Sequence, residues 1–294
     1  MSVSRRGVLK GLVTGGAVAA FAPVATSARE PRKPPEDAVG MLYDATLCIG
    51  CKTCVVACHE ANNLAPATGE GYGDGLYDAP ERLSSDTKNI IQLYREGDEQ
   101  SYIKRQCMHC VDPGCVSACM IGALQKREGG IVSYEIDKCV GCRYCQVACP
   151  FNIPKFEWNT PTPKIVKCEL CRHLLAEGKI PACCDVCPRQ AVIYGKRDEL
   201  LAEAKRRLVE SPERYVPKIY GEQDAGGTQV LYLAGVEFVK LGLPALGNEA
   251  APALSETVQH GIYQGFVAPV VLYAALGVVI WRNRKSVAGG EDES

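Results

Sequence analysis

The sequence lacks an excess of charge of either sign. Its 33 Lys and Arg residues nearly balance 34 Asp and Glu residues, and the formal net charge is −1 at pH 7. Nucleic-acid binding normally requires a strongly basic surface, so this balance predicts no nucleic-acid partner. The sequence also lacks an activated nucleophile, a carboxylate pair in a catalytic context and a glycine-rich loop for a hydride-carrying cofactor. These absences favour a non-catalytic protein over an enzyme that acts alone.

Cysteine is absent from both ends of the chain and concentrated in its middle. All 17 cysteines lie between residues 48 and 187 of a chain of 294 residues. An odd number cannot be fully paired in disulfides within one chain, and a chain of this length does not need disulfides in place of a hydrophobic core. Clustering at short, repeated spacings is what metal ligation requires.

Four cysteine motifs contain all but one of these residues. Motif 1 consists of Cys48, Cys51, Cys54 and Cys58, motif 2 of Cys107, Cys110, Cys115 and Cys119, motif 3 of Cys139, Cys142, Cys145 and Cys149, and motif 4 of Cys168, Cys171, Cys183 and Cys187. Motifs 1 and 3 have the gaps of bacterial ferredoxins, in which three thiolates bind one [4Fe–4S] cluster and the fourth binds its neighbour. Motifs 2 and 4 widen one gap and keep the final three-residue gap.

Zinc and disulfides are the alternatives to iron–sulfur ligation. A zinc site closes on four ligands and does not explain a further cysteine three residues later. We therefore predict four [4Fe–4S] clusters, with every motif cysteine as an iron ligand. Because Cys183 keeps the three-residue gap to Cys187, its neighbour Cys184 is predicted to be a buried thiol that binds no iron. Lys52 and Arg143, inside motifs 1 and 3, are candidates for charges that raise cluster potentials.

Short strand-like segments flank the motifs, and the order strand, cluster loop, short helix, strand recurs along the chain. Residues 123–126 and 131–134 flank a Glu-Gly-Gly turn and predict a hairpin. Residues 191–194 predict a further strand. The recurrence predicts an α+β fold in which two ferredoxin-like modules, each with two [4Fe–4S] clusters, share one core over residues 41–197.

The segment after this core predicts an extension and a membrane anchor. Residues 198–258 predict an amphipathic helix followed by an extended arm. Residues 260–282 predict a transmembrane helix, because about 20 uncharged residues span roughly 30 Å. A buried helix in a soluble domain is the alternative. The cations that follow place residues 283–294 in the cytoplasm by the positive-inside rule.

The other end predicts export. Residues 1–28 begin with Ser-Arg-Arg-x-x-Leu-Lys and continue as a weakly apolar stretch, which resembles a twin-arginine signal peptide. An ordinary secretory signal is the alternative. Both ends predict a protein at the periplasmic face of the inner (cytoplasmic) membrane, in contact with the lipid bilayer.

Several segments together resemble a known family. They are Met41-Leu42-Tyr43-Asp44, Gln106-Cys107-Met108-His109-Cys110, Gly141-Cys142-Arg143-Tyr144-Cys145 and Gly226-Gly227-Thr228-Gln229-Val230-Leu231. The sequence resembles the four-cluster, ferredoxin-like electron-transfer subunits of DMSO reductases, formate dehydrogenases and hydrogenases. Within that family it is most similar to the periplasmic iron–sulfur subunits of the hydrogenase-2 (HybA-like) type.

The resemblance implies that each cluster takes ligands from two motifs. The first set would be Cys48, Cys51, Cys54 and Cys187, the second set Cys58, Cys168, Cys171 and Cys183, the third set Cys107, Cys110, Cys115 and Cys149, and the fourth set Cys119, Cys139, Cys142 and Cys145. Each set then joins three cysteines of one motif to one cysteine of another motif.

The resemblance also implies a function and partners. The chain would relay electrons between the small subunit of a periplasmic [NiFe] hydrogenase and an integral membrane quinone-reactive subunit of the NrfD type. It would be a non-catalytic subunit of a hydrogen:quinone oxidoreductase. The alternatives are the same role in a formate dehydrogenase or molybdenum reductase complex, and a scaffold without redox activity that anchors an enzyme to the membrane.

Overall fold

The computed structural model describes residues 29–64, 82–161, 163–265 and 267–288. The predicted signal peptide and the predicted tail from residue 289 onward lie outside these residues. The chain divides into two compact units, the larger formed by Glu30–Pro252 and the smaller by the two ends of the chain. All four cysteine motifs belong to the larger unit.

The larger unit alternates short strands with short helices. Its strands are β1 (Val39–Asp44), β2 (Ile90–Glu96), β3 (Glu99–Arg105), β4 (Leu124–Lys126), β5 (Val132–Tyr134), β6 (Lys155–Phe156), β7 (Ile165–Val166), β8 (Val192–Lys196) and β9 (Val230–Leu233). Its helices are α1 (Thr53–Ala61), α2 (Gly114–Ser117), α3 (Tyr144–Val147), α4 (Arg172–Ala176), α5 (Ala182–Asp185) and α6 (Arg197–Glu210). Single 3-10 turns occupy Glu128–Gly130, Ile136–Lys138, Pro212–Arg214 and Asp224–Gly226. This mixed content agrees with the predicted α+β class.

A three-stranded sheet lies at the centre of this unit. Strand β1 pairs with β8 in antiparallel and with β9 in parallel orientation, so that Met41 lies between Tyr194 and Val230. Strands β1 and β9 are buried on both faces, whereas β8 is partly exposed. The nearly continuous apolar sequence of β1 is the usual pattern of a central strand. The segment before motif 1 is thereby joined to the segment after motif 4.

Helix α6 covers one face of this sheet. Its apolar side chains Leu200 and Ala204 form a buried cluster with Leu42 of β1 and Leu231 of β9. The 3.6-residue period of the sequence predicts this amphipathic helix correctly. Strand β9 falls within the predicted extended arm, at residues 230–233, whose apolar run also allows a short strand, and the structure shows a fully buried strand of the core there.

Three separate hairpins complete the larger unit. Strands β2 and β3 pair over seven residues each, from Ile90 opposite Arg105 to Glu96 opposite Glu99. Strands β4 and β5 pair around the Glu128–Gly130 turn, which confirms the hairpin predicted there. Strands β6 and β7 pair over only two residues each.

The short helices pack in two pairs. Helix α1 follows the first three cysteines of motif 1 and packs against α5 of motif 4. Helix α2 of motif 2 packs against α3 of motif 3. The motifs therefore associate as 1 with 4 and 2 with 3, and each pair forms one module of the kind expected for ferredoxin-like folds.

The described part of the smaller unit forms helices α7 (Ala253–Gly265) and α8 (Val267–Ala288). Within it Arg29 Nε donates to Glu256 Oε2 at 2.7 Å. Among the residues that the structure describes, no helix is long and apolar enough to cross a membrane, so the predicted transmembrane helix over residues 260–282 is not confirmed.

Candidate iron–sulfur cluster sites

The loops of motifs 1 and 3 have the same backbone conformation. In motif 1 Gly50 and Lys52 adopt positive φ values of 71° and 58°, and in motif 3 Gly141 and Arg143 adopt 68° and 66°. These turns direct backbone N–H groups toward the thiols, since Gly50 N donates to Cys48 Sγ at 3.5 Å. Gly141 N donates in the same way to Cys139 Sγ at 3.4 Å. Left-handed residues that are not glycine concentrate at functional sites, where surrounding structure maintains them.

Motifs 2 and 4 form related but wider loops. His109 has a φ of 47° in motif 2, and Leu170 and Cys171 have φ values of 54° and 49° in motif 4. Leu170 N donates to Cys168 Sγ at 3.4 Å, which repeats the contact seen in motifs 1 and 3. All four motifs are therefore shaped as loops that wrap their first cysteines.

The structure places the cysteines of the first set around one cavity. Its wall contains Cys48, Cys51, Cys54 and Cys187. Tyr43 of β1 and Ile91 of β2 close the apolar side of this cavity. Three loop thiols of motif 1 and the last thiol of motif 4 thus face the same space, as the crossed arrangement requires.

The second set also joins two motifs. Asn62, just after α1, donates through Nδ2 to Cys58 Sγ at 3.6 Å and to Cys171 Sγ at 3.9 Å. Burial raises the pKa of Cys58 to about 12, Lys104 acts in the opposite direction, and the thiols of Cys183 and Cys171 add to the rise. The fourth cysteine of motif 1 therefore lies among the cysteines of motif 4.

The third and fourth sets show the same exchange between motifs 2 and 3. Burial raises the pKa of Cys110 well above its usual value, and the adjacent thiols of Cys107, Cys149 and Cys115 raise it further. Burial likewise raises the pKa of Cys145 to about 12, and here the adjacent thiols are Cys119, Cys142 and Cys139. Cys149 of motif 3 thus sits with motif 2, and Cys119 of motif 2 sits with motif 3.

The extra cysteine lies beside a predicted ligand. The thiol of Cys184 donates to the sulfur of Cys183, and this hydrogen bond lowers the pKa of Cys183. Of the two residues, Cys183 is the one whose thiol contributes to the raised pKa values of Cys58 and Cys171. The structure therefore places Cys183 with the second set and Cys184 behind it, buried.

The donor atoms fit iron–sulfur clusters. Buried thiols resist deprotonation, and coordination to a metal removes their protons. No group of three or more His, Cys, Asp or Glu side chains in the described ranges is arranged to hold a single metal ion, and the first set encloses a cavity instead. Further support comes from Lys104, a fully buried cation whose strongest charged neighbours are thiols of the first and second sets.

Sequence reasoning missed two residues at these sites. Lys104 lies on β3, three residues before Cys107, and a lysine at a buried strand position next to a cluster motif is a signal that could have found it. Asn62 carries no such signal, because its contacts with Cys58 and Cys171 depend on how α1 meets motif 4. Of the two charges that were predicted, Arg143 stacks on Trp158, with its Cζ 3.9 Å from the ring centroid.

Known proteins resemble this chain over nearly its whole length. Residues 99–197, which contain motifs 2, 3 and 4, match the family described as 4Fe-4S dicluster domain. Hydrogenase-2 operon protein HybA of Escherichia coli O157:H7 is 41% identical over an alignment of 328 positions that covers 99% of each sequence. The chain belongs to the HybA family. It is an iron–sulfur electron-transfer subunit, as the resemblance predicted.

The HybA family has more distant relatives that also resemble this chain. The formate dehydrogenase-O iron-sulfur subunit of Escherichia coli (strain K12) is 34% identical, with 79% of each sequence covered. The formate dehydrogenase iron-sulfur subunit of Haemophilus influenzae is 35% identical, with 66% of this chain and 64% of the relative covered. The match to HybA extends over a larger share of the chain than these matches do.

Proposed function

We propose that this HybA family member relays electrons through four [4Fe–4S] clusters between a periplasmic [NiFe] hydrogenase and a membrane quinone-reactive subunit. The observation that carries the proposal is the exchange of cysteines within both pairs of motifs. In each pair the last cysteine of one motif lies among the first three of the other, which is the arrangement of two-cluster ferredoxins.

The four sets follow one another in a series. Burial raises the pKa values of Cys54, Cys168 and Cys115, and in each case a thiol of the next set adds to the rise: Cys183 for Cys54, Cys107 for Cys168 and Cys145 for Cys115. Successive sets therefore lie close to each other, which supports a continuous path through the protein.

The two ends of this series reach the surface, and the second set does not. Cys51 of the first set and Cys142 of the fourth set are exposed, whereas all four cysteines of the second set are buried. When bound, the clusters supply one-electron oxidation and reduction. The residues of this chain hold them in order, exclude water from the inner sets and donate backbone N–H groups to the cysteine sulfurs, which tunes the potentials.

The partners and location form part of the same proposal. The name of the relative from Escherichia coli O157:H7 connects that protein with hydrogenase-2, and the Ser-Arg-Arg signal supports twin-arginine export to the periplasmic face of the inner membrane. The [NiFe] hydrogenase small subunit and an NrfD-type membrane subunit would approach the two exposed ends. A formate dehydrogenase complex is the second candidate, supported by the similarity to two formate dehydrogenase iron-sulfur subunits.

The decisive experiment isolates the full chain with its native partners under anaerobic conditions. Four clusters predict about 16 iron atoms per chain, and adding hydrogen should bleach the visible absorbance and produce EPR signals of reduced clusters. Formate in place of hydrogen is the matched control for the second candidate. Full iron content with no response to hydrogen or formate would favour a scaffold. A colourless chain that holds zinc or disulfides would contradict the proposal outright.

A further inference from the structure

Lys104 is an unusual residue in the larger unit. It lies on β3, its side chain has a relative exposure of 0%, and it is among the largest fully buried side chains. Its Nζ atom has no hydrogen-bond partner among the residues that the structure describes. An ammonium group removed from water costs several kcal/mol unless an opposite charge compensates it. Its position therefore implies a nearby anion.

Two other lysines near the motifs are held differently. Lys167 is also buried, and its Nζ donates to the carbonyl oxygen of Cys168 at 3.0 Å and to that of Val132. Lys126 Nζ donates to the carbonyl oxygen of Cys110 at 2.7 Å. Both ammonium groups therefore donate to backbone carbonyl oxygens, and Lys126 Nζ also donates to Gln229 Oε1 at 3.3 Å. Lys104 has no such acceptor, so a nearby negative charge must compensate its buried ammonium group.

The surroundings of Lys104 identify the charge. Burial lowers the pKa of Lys104, and the neighbouring thiols of Cys183, Cys54, Cys58 and Cys168 raise it. Lys104 also forms part of the wall of the cavity shared by Cys48, Cys51, Cys54 and Cys187. Cys54 belongs to the first set and the other three strong neighbours to the second set. The lysine therefore lies where the first and second sets meet.

We propose that the Lys104 ammonium is the fixed counter-charge shared by the first and second sets, and that it raises the reduction potentials of the clusters they hold. The inference rests on the proposed function, which places a cluster in each set. Reduction adds one electron, and Lys104 keeps its proton, so a cluster becomes more negative beside an unchanged positive charge. In a buried, weakly screened environment that charge stabilises the reduced form. Lys104 is thus a positioning charge that sets potentials, not a ligand.

The test compares the whole chain with Lys104→Met, Lys104→Arg and the surface variant Lys179→Met by redox titration followed with EPR. In Lys104→Met two of the four reduction steps should move to lower potential, each with its equilibrium constant reduced about tenfold or more, which is about 59 mV for a one-electron step. Lys104→Arg keeps the charge and should stay close to the parent protein. Lys179→Met removes an exposed charge and should change nothing.

Each outcome of the titration and of the iron analysis either supports or contradicts the proposed role of Lys104. Unchanged potentials in Lys104→Met with full iron content, or an equal shift of all four steps, would overturn it. If Lys104→Met assembles poorly, loss of about half of the iron with full retention in Lys104→Arg supports the counter-charge. Equal loss in both variants indicates a packing role and overturns it. A parent protein without iron would instead contradict the proposed function itself.

Discussion

The two modules of the protein hold the same kind of ligand set on very different supports. The sheet module, which contains motifs 1 and 4, is built on the central strands β1, β8 and β9 and on the nine-residue helix α1. The hairpin module, which contains motifs 2 and 3, has helices of four residues each and hairpins of two or three residues per strand. Ligation therefore has a larger share in shaping the hairpin module, because its backbone pairing is limited to short strands, whereas the central sheet supports the sheet module.

Surface exposure follows the same division. In the hairpin module Val140 is 71% exposed and Val147 87%, although both lie between predicted ligands of motif 3. At the same positions of motif 1 in the sheet module the exposures are lower, 54% for Ile49 and 55% for Val56, and Val55 and Ala57 are buried. Because burial of apolar side chains is the main source of folding free energy, the hairpin module has less of it to replace a lost cluster.

The largest effect expected is the loss of whole clusters, and pairs of substitutions test whether both modules share the crossed arrangement. Cys187→Ser and Cys48→Ser should each remove the cluster of the first set, and the double variant should lose no more, leaving about 12 iron atoms per chain. Cys187→Ser with Cys168→Ser should remove two clusters and leave about 8. Iron analysis with EPR is the measurement.

The equivalent pairs in the hairpin module are the control. Cys149→Ser with Cys107→Ser should again leave about 12 iron atoms, and Cys149→Ser with Cys139→Ser about 8. If the pairs within a single motif behaved as one cluster and the crossed pairs as two, the crossed assignment would be wrong.

Removing the iron should distinguish the modules more sharply. In the iron-free chain we expect amides of α2, α3 and β4–β7 to exchange with solvent within seconds, while those of the central sheet stay protected, because the sheet keeps its backbone hydrogen bonds and its packing against α6. Hydrogen exchange read by mass spectrometry measures this. Equal loss of protection in both modules would show that the chain needs its clusters throughout.

Part of this organisation could be predicted from the sequence. Cysteine spacing predicts the loops well, because the reach of a chain between ligands leaves few conformations, and the Glu128–Gly130 turn is marked by its glycines. The positions of Asn62, Lys104 and β9 depend on contacts between distant segments, which local pattern does not encode. Residues 90–96 illustrate the limit. The Gly, Asp and Asn residues of segment 59–101 predict a surface insertion, but this segment contains the paired strand β2.

A smaller effect is expected from glycines in the cluster loops. A Cβ atom at Gly50 would lie 2.3 Å from the Tyr102 ring, and one at Gly141 would lie 2.8 Å from Pro163 Cγ. Gly97 also has a positive φ, 59°, but nothing lies within 4 Å of its Cβ position. Gly50→Ala and Gly141→Ala should therefore destabilise the protein by about 2–3 kcal/mol, and Gly97→Ala by only about 1 kcal/mol.

The apparent melting temperature of the iron-loaded chain, measured at one scan rate, is the readout for these glycine variants. Gly97→Ala separates backbone strain from steric overlap. An effect at Gly97 as large as that at Gly50 would show that packing against Tyr102 of the sheet module contributes nothing.

The smallest effect is expected at the surface of the hairpin module. The Arg143 guanidinium lies over the Trp158 ring, which is 68% exposed, and an exposed cation–π contact contributes about 0.5–1 kcal/mol. Trp158→Leu should increase hydrogen exchange of residues 139–149 by a few-fold without changing the iron content. Arg143→Met should do the same, and the double variant should add nothing, since both changes remove one contact. Additive effects would mean that Arg143 acts on the motif 3 loop independently of Trp158, and the hairpin module would then have a support that the comparison with the sheet module does not include.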